Sequence, residues 1–333
     1  MEYNYFGSTG LKMSRIAFGL QTLGWSVAEK DAFELLDYYT EEGGNYLDLA
    51  DSYNEGRAEE IAGIWLKDNP KRDDVILGTK IFFPTGDGVN DSGLSRKHIL
   101  QSVEKSLKRL NTDYIDLLQI HCFDRMTPLD EVSLSMDILV RDGKIRNYGL
   151  SNYTPSQITK TICDAEQKNR IKPSSVQLEY SLLVRSPEWE LLPVCEENNL
   201  GILAWSPLSG GWLSGKYRRD RAIPADSRAG VGDRWDDNEE QRGGEFTYGI
   251  IDRLIELSEK YDRPASQISL AWLLKKTPCI FPLIGARKMD QLKDNLKAVE
   301  LSLSDEDEAV LNKVSSTGTP YPYSFINRYT RYE

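Results

Sequence analysis

The chain has 333 residues, 40% of them apolar, and a formal net charge of −11 at pH 7. That acidity argues against a nucleic-acid binder, which needs clustered Lys and Arg, and the apolar runs are too short to cross a bilayer. Four scattered cysteines without CxxC spacing and two histidines, His98 and His121, point to reduced thiols and against a His-rich metal site; with no secretory pattern at its start, the chain is expected to be cytoplasmic.

Residues 3–18 read as a hairpin, Tyr3–Phe6 and Lys12–Phe18, turned by Gly7-Ser8-Thr9-Gly10. From Ile16 onward, short apolar segments alternate with longer stretches of helical periodicity. The strand candidates are Ile16–Gly19, Tyr46–Ala50, Val75–Lys80, Ile115–His121, Ile145–Ser151, Ser175–Ser181, Gly201–Pro207 and Cys279–Gly285. Helices are expected at Ala28–Glu42, Arg57–Asp68, Arg96–Leu110, Leu129–Asp142, Pro155–Asn169 and Glu188–Asn198, with two more between 246 and 276, then Asp290–Val299 and Asp305–Val314. Ser95 and Ser304 stand where N-caps belong, and Gly43 and Gly143 follow helices.

Eight such alternations predict a parallel sheet covered by helices. Their number and length suit an α/β fold of the (β/α)8 TIM barrel type, usually roughly 250 residues, with an N-terminal β-hairpin and extra helices near the C-terminus. A doubly wound open sheet competes, but the first strand–helix junction, Phe18-Gly-Leu-Gln-Thr-Leu-Gly24, lacks the G-x-G-x-x-G turn. One domain over residues 1–333 is expected, carrying a long charged loop at 218–245 and an aromatic tail at 315–333.

In a barrel, chemistry gathers at the C-terminal strand ends. Asp48 sits inside an apolar strand, where a carboxylate is costly unless a positive group meets it; Tyr53 follows five residues later. Lys80 ends the third strand and His121 the fourth, with Ser151-Asn152, Gln177 and Trp205 at the fifth, sixth and seventh. Singly, each has an ordinary explanation: a turn carboxylate, a packing tyrosine, a snorkelling lysine, a satisfied core histidine. Together, at consecutive strand ends, they predict an active site.

The stretches Asp48-Leu-Ala-Asp-Ser-Tyr53, Thr79-Lys80, Gln119-Ile-His121, Gly149-Leu-Ser-Asn152, Gln177-Leu-Glu-Tyr180 and Ala204-Trp-Ser-Pro-Leu-Ser-Gly-Gly211 resemble the aldo-keto reductase superfamily, in order and over nearly the whole chain. The resemblance implies a catalytic tetrad of Asp48, Tyr53, Lys80 and His121. The implied roles are physically sound. Tyrosine, with a pKa near ~10, is a reluctant acid. A lysine ammonium ~4 Å away, at an effective dielectric of ~20, attracts its phenolate by up to ~4 kcal/mol. That is about three pKa units before desolvation acts the other way. Asp48 would keep Lys80 charged, and His121 would position the substrate carbonyl.

The resemblance also implies a nicotinamide dinucleotide, since none of the four can supply hydride. Ser151, Asn152 and Gln177 match carboxamide-binding positions, and Trp205 the ring that stacks on nicotinamide. Ser206, Pro207, Leu208 and Gly210 form a small-residue loop for the pyrophosphate, with Lys216 adding charge. Gly285, Arg287, Gln291 and Asn295 match the adenosine end, and Arg287 beside Lys288 suits a 2′-phosphate, so NADP(H) is expected over NAD(H). Trp25, Phe82 and Phe123, with Phe83 and the tail, are candidates for the substrate cleft, although core packing explains them equally well.

The sequence departs from the family pattern at Asn54 and Ala58, and at Gly285-Ala286, where one branch carries Lys-Ser. The last departure points to the bacterial-type and channel-β-subunit-like branches. Two functions stay open: an NADPH-dependent reductase of a small-molecule aldehyde or ketone, and a nicotinamide-binding redox-sensing subunit with slow catalysis. A lyase or hydrolase barrel would leave Asn152, Gln177 and Trp205 without a role.

Overall fold

The computed structural model describes residues 1–68, 72–219, 221–225, 227–231 and 242–330. Ten strands are assigned among them: β1 (Tyr3–Tyr5), β2 (Lys12–Ser14), β3 (Ala17–Gly19), β4 (Tyr46–Asp48), β5 (Ile76–Ile81), β6 (Ile115–Ile120), β7 (Ile145–Ser151), β8 (Ser175–Glu179), β9 (Gly201–Trp205) and β10 (Ile280–Ile284). Strands β3 to β10 close a parallel barrel in chain order, with β10 returning to β3 through Leu283↔Ala17 and Ile284↔Phe18. The expected (β/α)8 barrel is the observed fold.

The helices are α1 (Glu29–Glu41), α2 (Arg57–Asp68), α3 (Arg96–Arg109), α4 (Leu129–Arg141), α5 (Pro155–Gln167), α6 (Leu191–Glu197), α7 (Arg228–Val231), α8 (Glu245–Tyr261), α9 (Ala265–Lys276), α10 (Met289–Leu296), α11 (Asp305–Val314) and α12 (Tyr323–Tyr329). Helix α1 buries a stripe at i, i+3, i+4 spacing, Ala32, Leu35, Leu36 and Tyr39, whereas α9 is buried all round from Ala265 to Leu273. Local capping starts α3 and α5: Ser95 Oγ accepts from His98 N, and Thr154 with Gln157 makes a reciprocal box ahead of Pro155. No helix among the described residues is long and apolar enough to cross a membrane.

The hairpin β1–β2 pairs antiparallel, Tyr3↔Ser14, and drives Phe6 into the barrel against Phe281, ring centroids 5.4 Å apart. Gly7 makes this possible: its φ is +56°, and a Cβ there would stand 2.4 Å from Gly201 N. The expected strand Lys12–Phe18 is in fact two, because the chain turns at Ser14–Ile16, where Ser14 Oγ donates to Ile16 O and Arg15 N to Glu2 O.

Other expectations need correction. The helix expected over Glu188–Asn198 begins only at Leu191, after a 3-10 turn at Ser186–Glu188 that opens around Pro187. The one expected over Asp290–Val299 ends at Leu296 and tightens into a 3-10 turn, Lys297–Glu300. The 218–245 segment is not all loop, since it holds α7; its residues 220, 226 and 232–241 lie outside those described. The 315–333 tail carries α12 up to Tyr329, and 331–333 lie outside the described residues.

Candidate active site

A cavity of about 560 Å³ opens at the C-terminal ends of the strands, walled by residues from Gly19 on β3 to Ile284 on β10. Strand register builds its floor. Asp48 pairs with Gly78, Lys80 with Gln119 and Ser151 with Gln177, so side chains of successive strands converge inside the barrel.

Lys80 is fully buried and makes three hydrogen bonds. Its Nζ donates to Asp48 Oδ2 at 2.5 Å, Leu49 O at 2.6 Å and Tyr53 Oη at 3.2 Å. The carboxylate in the apolar strand therefore meets a cation from the neighbouring strand. Burial works to lower the Lys80 ammonium, but the charges of Asp48 and Tyr53 outweigh it and hold its pKa above the ordinary lysine value. Burial also acts on Tyr53, and here it wins: the phenol is pushed up despite the pull of Lys80. Desolvation is thus the larger of the two effects on Tyr53.

Tyr53 opens a 3-10 turn, Tyr53–Gly56, in which Asn54 (φ 50°) and Glu55 (φ 57°) are left-handed. Asn54 thus occupies a backbone region that glycine suits, and asparagine is among the side chains that tolerate it. His121 follows β6, its ring edge-on to Tyr53 at 5.7 Å and to Phe83 at 4.7 Å. Burial, then the nearby Lys80 charge, holds its pKa well below the usual histidine value, so the ring is neutral at pH 7. Its Nδ1 is buried without a partner among the described residues.

Ser151, Asn152, Gln177, Trp205, Ser206, Pro207, Leu208, Gly210, Lys216, Gly285, Arg287, Gln291 and Asn295 all line the same cavity. Asn152 is left-handed (φ 56°), and its Nδ2 donates to His121 O at 2.9 Å. Gln177 Nε2 donates to Asp48 Oδ1 at 3.0 Å. Both amide nitrogens are thus held by acceptors, and among the described residues no donor contacts Gln177 Oε1. After β9 the chain passes through Ser206 (φ 52°), Gly210 (φ 64°) and Gly211 (φ 95°). A Cβ at Gly211 would stand 2.6 Å from Lys216 Nζ, so glycine leaves the space where that ammonium meets the cavity wall. Gln291 Oε1 accepts from Arg287 N at 2.9 Å, tying α10 to the loop before it.

The structure does not gather every expected residue. Trp25 lines the cavity, but Phe82 and Phe123 do not. Strand β5 extends to Ile81, and Phe83 rather than Phe82 reaches the wall; Phe123 packs edge-on against Tyr153 at 5.1 Å. None of the tail's described residues lines the cavity, and Tyr323 stacks on Trp189 instead.

Sequence reasoning also missed Gln21, Thr22, Glu179, Arg242 and Asp294. Glu179 shares the inward parity of Gln177 on β8, which would have found it. Arg242 pairs with Glu179 at 2.9 Å from a segment with no periodicity to read.

The family model described as the aldo/keto reductase family matches residues 15–316. The chain is 36% identical over 323 residues to "Uncharacterized oxidoreductase YrpG" of Bacillus subtilis, covering 94% of this chain and 96% of that protein. It is 33% identical over 304 residues to "Probable voltage-gated potassium channel subunit beta" of Arabidopsis thaliana, covering 90% and 92%. To "Norsolorinic acid reductase" of Aspergillus flavus it is 31% identical over 333 residues, covering 96% and 82%.

Proposed function

The chain belongs to the aldo/keto reductase family, and from that premise we propose that Tyr53, Lys80, Asp48 and His121 reduce an aldehyde or ketone to its alcohol with NADPH as hydride source. Carbonyl reduction by an oxidoreductase that uses a nicotinamide cofactor is the activity its family carries. One observation carries the residue assignment: a buried chain of contacts from Asp48 through Lys80 Nζ to Tyr53 Oη, with Tyr53 on the cavity wall.

The donor set fits a nicotinamide dinucleotide. Gln177 Oε1, Asn152 and Ser151 offer polar groups for a carboxamide, and Trp205 offers a ring face. Backbone of Ser206–Gly211 and the Lys216 ammonium suit a pyrophosphate. Arg287 suits a 2′-phosphate, which is why NADPH is proposed over NADH. When bound, the nicotinamide supplies hydride to the carbonyl carbon. His121, neutral, hydrogen-bonds the carbonyl oxygen and fixes its approach. Tyr53 Oη gives its proton to the developing alkoxide, and Lys80 stabilises the phenolate left behind. Asp48 holds Lys80 in place and in its charged form.

The test is NADPH consumption with 4-nitrobenzaldehyde, comparing the wild-type protein with Tyr53→Phe. Loss of about 10²-fold or more in rate with cofactor binding retained is expected; full activity in the variant refutes the assignment. The likeness to the protein named as a channel β subunit favours a second reading, in which the barrel binds the cofactor and turns over slowly. Tight NADPH binding with negligible turnover across many aldehydes and ketones selects it.

A further inference from the structure

Asp48 carries more hydrogen bonds than its ion pair requires. Oδ2 faces Lys80, while Oδ1 accepts from three neutral donors: Gln177 Nε2 at 3.0 Å, Gln119 Nε2 at 3.1 Å and Tyr46 Oη at 3.2 Å. Gln119 Nε2 also donates to Tyr46 Oη at 3.3 Å, closing a triangle beneath the carboxylate. Gln177 lines the cavity; Tyr46 and Gln119 do not.

Tyr46 is completely buried inside the barrel, and its ring packs in an apolar cluster with Phe6, Leu117, Leu203 and Phe281. The barrel makes room for its hydroxyl. A Cβ at Gly78 would stand 2.3 Å from Tyr46 Oη. Gly78 lies two residues before Lys80 on β5, directly opposite Asp48. A phenol in an apolar cluster, a missing side chain opposite it and a glutamine bracing it all converge on one carboxylate oxygen.

We propose that Tyr46 is a positioning residue for the reaction, its hydroxyl, braced by Gln119 and admitted by Gly78, holding Asp48 aimed at Lys80 and so setting the acidity of Tyr53. The inference rests on the reading of Tyr53 as proton donor. A buried carboxylate needs polar partners beyond a single cation to offset its burial. A second cation would serve that end but would compete with Lys80 for Asp48. Neutral dipoles stabilise the charge and leave Lys80 its only cation partner among the described residues. The titratable groups facing this triangle are Lys80 on β5, Tyr53 after β4, Tyr39 on α1 and the neutral His121 after β6. Burial, then the Asp48 charge, holds the Tyr46 phenol far above its ordinary pKa, so it remains a donor at every working pH.

Tyr46→Phe keeps the ring and removes only the hydroxyl. Losing a dipole whose positive end points at Asp48 leaves the site more negative, so Tyr53 gives up its proton less readily. Two readouts follow: the pH-rate profile of NADPH-dependent 4-nitrobenzaldehyde reduction, and the ¹³C titration of the Tyr53 ring, assigned by its loss in Tyr53→Phe. The expected result is a rate about tenfold lower, with the basic limb and the Tyr53 titration both displaced to higher pH by about half a unit or more. A residue that only packs would lower the melting temperature and leave both titrations in place. Gln119→Leu, which removes the brace, should displace them in the same direction and serves if Tyr46→Phe fails to fold.

A folded Tyr46→Phe whose limb and titration coincide with those of the wild-type protein overturns the proposal. If the wild-type protein reduces no carbonyl at all, the reductase reading fails instead. The ¹³C titration still decides whether Tyr46 sets the acidity of Tyr53.

Discussion

Lys80→Met tests the electrostatic core of the site, because it removes the cation that touches both Asp48 and Tyr53. Lys80 Nζ stands 3.2 Å from Tyr53 Oη. At an effective dielectric of ~20, its attraction for the phenolate is ~5 kcal/mol, an upper bound of nearly ~4 pKa units on the acidity it lends Tyr53. Burial already pushes Tyr53 up, so the substitution leaves that push unopposed. Part of this difference is expressed in the transition state for proton donation, and a rate loss of about 10²–10³-fold is expected. Stability should fall as well, since an unpaired buried carboxylate costs ~3–5 kcal/mol. Adding Asp48→Asn removes that charge, so the double variant should regain stability without regaining rate. The assay is single-turnover NADPH oxidation with 4-nitrobenzaldehyde across pH, with cofactor affinity and melting temperature measured on each variant. A folded Lys80→Met that binds NADPH and keeps its rate within about threefold of wild type would sink the argument.

Asp51 offers a pH test. It is buried with neither carboxylate oxygen in a well-formed hydrogen bond among the described residues, and burial, then the nearby Glu59 charge, outweighs Arg109, Ser102 and Ser52 and raises its pKa to about 8. Between the ordinary carboxylate value of ~3.9 and about 8, the folded state holds a proton that the unfolded state has lost. This group's contribution therefore declines as pH rises through that window, by up to ~1.4 kcal/mol per unit. Asp51→Asn should flatten the fall in melting temperature between pH 5 and 8, and an unchanged slope rules the argument out. Arg287→Ala is expected to weaken NADPH binding about 10–100-fold, the worth of a charge-assisted contact, while sparing NADH. Equal losses for the two cofactors would remove Arg287 from the 2′-phosphate. Phe83→Ala should raise KM for aromatic aldehydes about tenfold, since it opens the wall beside His121. Phe82→Ala, away from the wall, should leave KM near its wild-type value; the reverse order contradicts the assignment of the cavity lining.

How far the site could be read from the chain varies residue by residue. Asp48 was legible because it interrupts a short apolar run, Lys80 and His121 because each ends one, and in a parallel barrel strand ends share one face. Helix starts at Ser95 and Ser304 were legible because capping is local. The break within Lys12–Phe18 was only half legible: Ile16–Gly19 reads as a barrel strand of its own, but every residue from Met13 to Phe18 is buried and no alternation marks the turn. Phe83 could not be preferred over Phe82 while the end of β5 was uncertain by a residue, because one residue reverses which side chain faces inward.

The alternation of strand and helix, and the carboxylate that required a cation, are properties of neighbouring residues. The sequence by itself therefore determined the barrel, its order, and the polar groups at its mouth. The tertiary structure decided what depends on distance across the chain and on exclusion of water. It brings Tyr46 and Gly78 together beneath Asp48, sets Arg242 against Glu179, and buries Asp51 near Glu59. It also decided the acidity of Tyr53, where the pull of Lys80 could be estimated from chemistry alone but the opposing cost of burial exists only once the barrel has closed around it.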